Sequence, residues 1–418
     1  LLFASCGGNI KPGSGSNVSN IKFRAFVSQN VSSSTSLAGL DIVDASLDRL
    51  ARAPGVSAGG APGLMAVPNN KLLTLVFDSS NNSINVINNK QEASAGIIGL
   101  PSWTESMAVT SDASAGYAAV LNAAVPGQST GVVEMLNLTA PRLEAPIPVP
   151  AVRYVVLSPD NTRVLAFSEN QNMVTVISAT NTGTTSSPVW VVNTAPVQVT
   201  GPGLDRPVWG VFSPDSTTAY IMNCGPECGG SSAGVTVLDM TTNPPTVGGT
   251  LNLPGATQGV LFGTTLYVAG TAPSGAGSCS TTTVNTCGTL SIINVSNPAA
   301  LQLISTQSIT DGYHNRMAVT ADNQVFVGAR NCTNVNIPAN GSNPAVQFGC
   351  LSLFNPASNK VIIGTDLGDV TGIQPVTGRT QVYVVQAGEL RIWDTSKDAL
   401  TPAQIDLIGN AVDVKIVD

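Results

Sequence analysis

The sequence predicts an all-β chain folded as a β-propeller of about eight four-stranded blades. Three observations predict it: a strand–turn–strand unit that recurs along the chain, hydrophobic alternation at period two, and two chain ends that together supply one complete unit. The recurring unit is clearest where Val155-Val156-Leu157-Ser158-Pro159-Asp160 precedes Arg163-Val164-Leu165-Ala166-Phe167. A second copy places Gly210-Val211-Phe212-Ser213-Pro214-Asp215 before Ala219-Tyr220-Ile221-Met222. Weaker copies begin at Met65, Met107 and Met317. The turn chemistry fits a hairpin, because Pro presets φ while Asp or Asn accepts local backbone hydrogen bonds and tolerates the left-handed region.

A third strand follows and ends in Asp, Asn or Ser, as in Ile84-Asn85-Val86-Ile87-Asn88, Val235-Thr236-Val237-Leu238-Asp239 and Leu390-Arg391-Ile392-Trp393-Asp394. Most of these segments alternate apolar and polar residues, the pattern of a strand. A looser fourth strand comes next, for example Thr250-Leu251-Asn252-Leu253. With the four named a to d, b-strands fall near residues 23, 72, 117, 164, 219, 266, 325 and 382. The first unit lacks its a-strand, since Phe23 begins directly at b. Ala411 to Val417 reads as an a-strand with no b after it. Pairing of the N- and C-terminal strands in one blade closes the ring and removes the free edges of an open sheet.

The Ser-Pro-Asp turns and the Ile-Val-Asp type strands resemble those of YncE-like, YVTN-repeat β-propellers over about residues 20–418. The resemblance implies a fold and no particular activity. It also implies seven blades, the alternative to the eight counted from the residues. The domain reading is an N-terminal arm over 1–20 and a single propeller over 21–418.

Composition limits the function classes. The 418 residues are 43% hydrophobic and only 10% charged, with net charge −7. Such a chain folds rather than staying disordered. Mild acidity without a basic cluster speaks against nucleic acid. No run of 18 apolar residues is present, so no transmembrane span is expected. The start, Leu1-Leu2-Phe3-Ala4-Ser5-Cys6-Gly7-Gly8, resembles the lipobox of bacterial lipoproteins, which implies a lipid anchor on Cys6. The alternative is an unpaired Cys6 thiol able to link chains. Residues 7–20 then read as a flexible tether.

The other six cysteines fall in three close pairs: Cys224 with Cys228, Cys279 with Cys287, and Cys332 with Cys350. Local disulfides are the expectation, and they place the protein in an oxidising, extracytoplasmic compartment. Zinc fits badly, because the chain holds one histidine and the closest cysteine pair has no second pair nearby. No metal site and no cofactor are expected.

Antiparallel parity puts b–c loops and d–a crossovers on one face. All three cysteine pairs lie in b–c loops, which are long in three consecutive units at about 224–234, 270–288 and 330–350. Long excursions in a compact fold are usually functional. The same face carries the residues entering each a-strand at the mouth of the central channel. In register these are Leu64, Ser106, Tyr154, Trp209, Gln258, Arg316 and Thr371. Trp103, Arg153, Tyr154, Trp209, Tyr313, His314 and Arg316 are the candidate binding residues there, since aromatic and Arg side chains are enriched at binding hot spots.

Catalytic patterns are scarce. His314 is the only histidine, and no Gly-x-Ser-x-Gly elbow occurs. Paired carboxylates cannot be singled out from spacing. The leading expectation is therefore a non-catalytic extracytoplasmic propeller that binds a protein, glycan or cell-envelope ligand through its b–c face. A self-assembling filament or surface-layer subunit, associating through the N-terminal arm, is the alternative. A propeller hydrolase or lactonase using His314, Arg316 and a carboxylate is the second alternative.

Overall fold

A computed structural model describes residues 18–30, 39–52, 55–192, 195–272, 287–337, 346–407 and 409–418. The expected lipobox with Cys6, and Cys279, lie outside the described residues. The chain forms eight antiparallel blades. We number them by their innermost strands: blade 1 Asn410–Ile416, blade 2 Pro62–Ala66, blade 3 Met107–Val109, blade 4 Val152–Leu157, blade 5 Pro207–Phe212, blade 6 Gln258–Phe262, blade 7 Tyr313–Val319 and blade 8 Val370–Pro375. These innermost strands contact one another in cyclic order around a central channel. The count is eight, not the seven that the family resemblance implies.

Period-two alternation builds this ring because both faces of every blade are buried. In blade 4, Val164 and Ala166 pack into a cluster shared with blade 3, whereas Leu165 and Phe167 enter the cluster shared with blade 5. The same division recurs at each blade junction, so the core is a circle of apolar interfaces. A register slip of one residue would exchange the two partners of a whole strand.

Closure occurs in blade 1, where Arg24–Asn30 pairs antiparallel with Asn410–Ile416, Phe26 facing Lys415 and Val27 facing Val414. An ion cluster seals the seam. The Arg24 guanidinium binds the Asp418 carboxylate through Nε at 2.7 Å, and Nη1 reaches Glu92 Oε1 at 2.7 Å. Nη1 also donates to the Asn89 carbonyl at 2.8 Å. The Asp418 hydrogen bond holds the guanidinium above its ordinary pKa.

The Ser-Pro-Asp turns are held by their own side chains. Asp160 Oδ1 accepts from Ser158 Oγ at 2.6 Å and from the Thr162 amide at 3.0 Å. Ser158 Oγ in turn accepts from the Arg163 amide at 2.9 Å. Asn161 follows at φ 64°, a left-handed position that Asn tolerates.

Several details depart from the sequence expectation. The 330–350 excursion is not structureless, since Val335–Ile337 pairs with Val346–Phe348. The 224–234 loop holds a 3-10 turn at Gly225–Cys228. Blade 3 also has a long b–c loop, between Val120 and Val132, so the extra chain is not confined to three consecutive blades. The fourth strand of blade 3 is broken into Arg142–Leu143 and Ile147–Pro148, with Pro146 in the gap. The Cys224–Cys228 and Cys332–Cys350 disulfides have formed, with Cα separations of 5.6 and 5.4 Å. Cys287 is disulfide-bonded as well.

Candidate functional site

A backbone device at the channel mouth places the side chains. In six of the eight blades the innermost strand carries a register shift at its mouth end. The unpaired residue is Arg153 in blade 4, Val208 in blade 5, Asn315 in blade 7 and Thr371 in blade 8. A bulge of this kind inserts one residue and re-aims its neighbours. Side chains that strict alternation would bury between blades are thereby delivered to the mouth.

Leu64, Ser106, Tyr154, Trp209, Gln258 and Arg316 line one small cavity of about 100 Å³ in the channel. Arg316 Nε donates to the Thr371 carbonyl at 2.7 Å, which joins the seventh member of that register. Burial lowers the pKa of the Arg316 guanidinium. Tyr154 and Trp209 meet edge to face at 6.3 Å. These contacts pin neighbouring blades together, as do the Ser106 hydroxyl, which accepts from the Val155 amide at 2.9 Å, and Asp413, which accepts from the Met65 amide at 2.9 Å.

Above this plug opens a cavity of about 590 Å³ on the b–c face. Its wall brings together Arg153, Tyr154, Tyr313 and Arg206, which the sequence places beside the mouth register, with residues not singled out from the sequence: Ser168, Glu169, Arg330, Asn331 and Asp369. Cys228 of the disulfide-bonded loop lines it too. The volume falls within the roughly 300–1,000 Å³ typical of small-molecule sites. Arg153 is engaged by the carboxylates of Glu105 and Glu169. Arg330 lies over the Tyr313 ring at 6.0 Å and reaches Glu105 at 3.6 Å.

Two buried polar atoms of wall residues, Ser168 Oγ and Arg206 Nε, have no hydrogen-bond partner, while the Tyr154 hydroxyl faces that of Tyr313. A buried polar group left unpaired costs roughly 1–3 kcal/mol. Both atoms lie beneath the wall surface and are not open to the cavity. Nearby, burial pushes the Glu227 carboxyl up to about 7, so near neutral pH it is half-protonated. Its Oε2 accepts from the Thr271 amide at 2.9 Å, tying the disulfide-bonded loop to blade 6.

Two expected mouth residues stand apart. Trp103 is 44% exposed and packs edge-on against Phe77 at 6.5 Å, beside a separate small hollow. His314 is 1% exposed and lines neither cavity. Its Nε2 lies 2.9 Å from the Thr310 carbonyl and so carries the proton, while Nδ1 has no partner. Burial pushes its pKa down to about 4, which leaves the ring neutral at neutral pH and shut away from any substrate.

A second cavity, about 630 Å³, lies on the outer rim between blades 3 and 4 and is walled by Pro146, Pro148, Pro188, Trp190 and Val191. Its lining is apolar apart from Arg142, Glu144 and a few short polar side chains. Among the described residues no group of three or more His, Cys, Asp or Glu side chains is placed to hold a metal ion. No helix there is long and apolar enough to cross a membrane.

No known family profile matches the chain, and no curated protein matches it in sequence. Solved structures do resemble it in fold. The periplasmic gluconolactonase of Pseudomonas aeruginosa superposes with TM-score 0.51 at 13% identity, over 95% of this chain and 99% of that one. The β-propeller domain of a Swd1 protein from Myceliophteria thermophila gives 0.53 at 11% identity, over 81% and 97%. Kuenenia stuttgartiensis hydrazine synthase gives 0.55 at 12% identity, over 83% and 96%. The class of protein is thus a β-propeller, here with a polar cavity at the mouth of its channel.

Proposed function

We propose that this chain is a non-catalytic, extracytoplasmic binding protein, of the YncE-like kind, that takes a polar ligand from the cell envelope into the mouth cavity on its b–c face. One observation carries the reading: a cavity of about 590 Å³ at the channel mouth is walled by three arginines, Arg153, Arg206 and Arg330, and two carboxylates, Glu169 and Asp369. The disulfides support a location outside the cytoplasm. The inaccessible His314 supports binding over hydrolysis, because it removes the general base that the sequence offered.

A binding screen against solubilised envelope fractions and a glycan array tests the reading. Ser168→Leu, which fills the cavity, and a variant with residues 225–233 replaced by a short turn are both expected to lose the captured ligand. Capture undiminished in both variants would overturn it.

A lactonase is the second reading, supported by the fold likeness to a gluconolactonase and by the carboxylates of Glu169 and Asp369 on the cavity wall. It requires one of those carboxylates, and not His314, as the base. Self-association has its support in the outer edge of blade 6, where Gln302–Ile309 carries no charge and exposes Leu303 and Ile304.

A further inference from the structure

The mouth cavity has a charge pattern that narrows its ligand. Of the three arginines on its wall, Arg153 is engaged by Glu105 and Glu169. Arg330 is held by Glu105 at 3.6 Å and by the Asn315 side-chain oxygen, which accepts from its Nε at 2.8 Å. Arg206 forms no ion pair within 4 Å among the described residues; the neighbouring Asp205 carboxylate feels its charge but is spent on the Ser231 and Ser232 amides, at 2.7 and 2.8 Å. One guanidinium of three is therefore left uncommitted.

That guanidinium is also held in place. Arg206 adopts φ 55°, an uncommon conformation for a residue with a side chain. Its amide donates to Asn172 Oδ1 at 3.1 Å and its carbonyl accepts from the Cys224 amide at 3.0 Å. Gly230 of the disulfide-bonded loop covers its stem so closely that an added Cβ would lie 2.9 Å from Arg206 Cγ. The loop fixes the arginine against the cavity.

The rest of the wall argues for a single negative charge among hydroxyls. Glu169 and Asp369 would repel a dianion such as phosphate, yet both accept hydrogen bonds from hydroxyl groups. Pro207 and Val208 add an apolar strip for a C–H face. We propose that the cavity binds an acidic saccharide unit, its carboxylate seated on the Arg206 guanidinium and its hydroxyls on the carboxylates of Glu169 and Asp369. The planar fork of a guanidinium matches a carboxylate in a way that an ammonium does not. This rests on the cavity being the ligand site.

Titration calorimetry at neutral pH tests it with D-glucuronate, digalacturonate, D-glucose and inorganic phosphate. The acids are expected to bind about tenfold or more tighter than glucose. Arg206→Gln is expected to erase that preference, and Arg206→Lys to restore part of it. The monosaccharide and disaccharide arms separate a free sugar acid from a unit within a glycan. Equal binding of glucose and glucuronate, unaffected by Arg206→Gln, would overturn acid recognition and leave the cavity as a saccharide site. Preference for phosphate over both acids would also overturn it. No saccharide binding at millimolar concentration would overturn it too, and the envelope screen would then decide separately whether the cavity binds anything. Unfolding midpoints of both Arg206 variants within about 2 °C of the wild type would assign the losses to recognition, because changes well below 1 kcal/mol shift a midpoint no more than that.

Discussion

Arg24→Ala is expected to destabilise the protein by about 3–5 kcal/mol. The Arg24 side chain is 8% exposed and its partner Glu92 only 2%. Removing the guanidinium leaves two carboxylates, Glu92 and Asp418, facing one another with no cation between them. The Asn89 carbonyl also loses its donor. Both the entering strand and the closing strand end at this cluster, so the damage falls on the seam of the ring. Replacing Arg24 and Glu92 together by Met is expected to cost clearly less than Arg24→Ala, because the deeply buried Glu92 charge is then gone and only the more exposed Asp418 loses its partner. Urea unfolding of the single and double variants checks both statements. A loss below about 1 kcal/mol for Arg24→Ala would mean that the cluster does not seal the ring.

Replacing Cys332 and Cys350 together by Ser is expected to cost about 3 kcal/mol and to abolish capture of the ligand. The bridge closes a loop over a sequence separation of 18. Both sulfurs are buried in the cluster between blades 7 and 8. Two cavity residues depend on the bridge. Asn331 precedes Cys332, and its amide donates to Asp369 Oδ1 at 2.8 Å. The Thr333 amide donates to Asp311 at 2.7 Å on the other side. Freed of the cross-link, this segment loses its hold on Asn331 and Asp369 together. Thermal unfolding and the envelope screen, run on the same variant, measure the two effects. Full retention of both would contradict the role given to the loop.

The ring was legible in the sequence because its physics is periodic. Strands buried on both faces need apolar residues at every position that meets a neighbouring blade, and the hairpins need Asp, Asn and Pro at fixed offsets. Val155 to Phe167 displays both requirements in thirteen residues. The complementary ends, Phe23 without an inner strand and Val412 to Val417 without a successor, told where the ring meets. The face bearing the cysteine loops followed from strand parity alone.

The site was legible only in part. Tyr154 was found by register, and Arg153, Arg206 and Tyr313 by lying next to that register; all four line the cavity. Ser168 and Arg330 were not tied to it, because their place depends on mouth-end bulges and on the fold of the 224–230 loop. Neither leaves a mark in hydrophobic periodicity. A non-glycine residue with positive φ, as at Arg206, is invisible in composition for the same reason. His314 looked accessible because it sits beside Tyr313 and Arg316 in sequence. The bulge at Asn315 breaks that adjacency and leaves its ring under the Thr310 carbonyl.

Native-state hydrogen exchange over the last ten residues tests ring closure most directly. If Asn410–Ile416 is the innermost strand of a closed blade, its paired amides exchange as slowly as those of the blade 8 strand Gln381–Gln386, near the limit set by global unfolding. Rapid exchange there, of the kind a fraying terminus shows, would contradict the closed propeller and the cavity that its mouth defines.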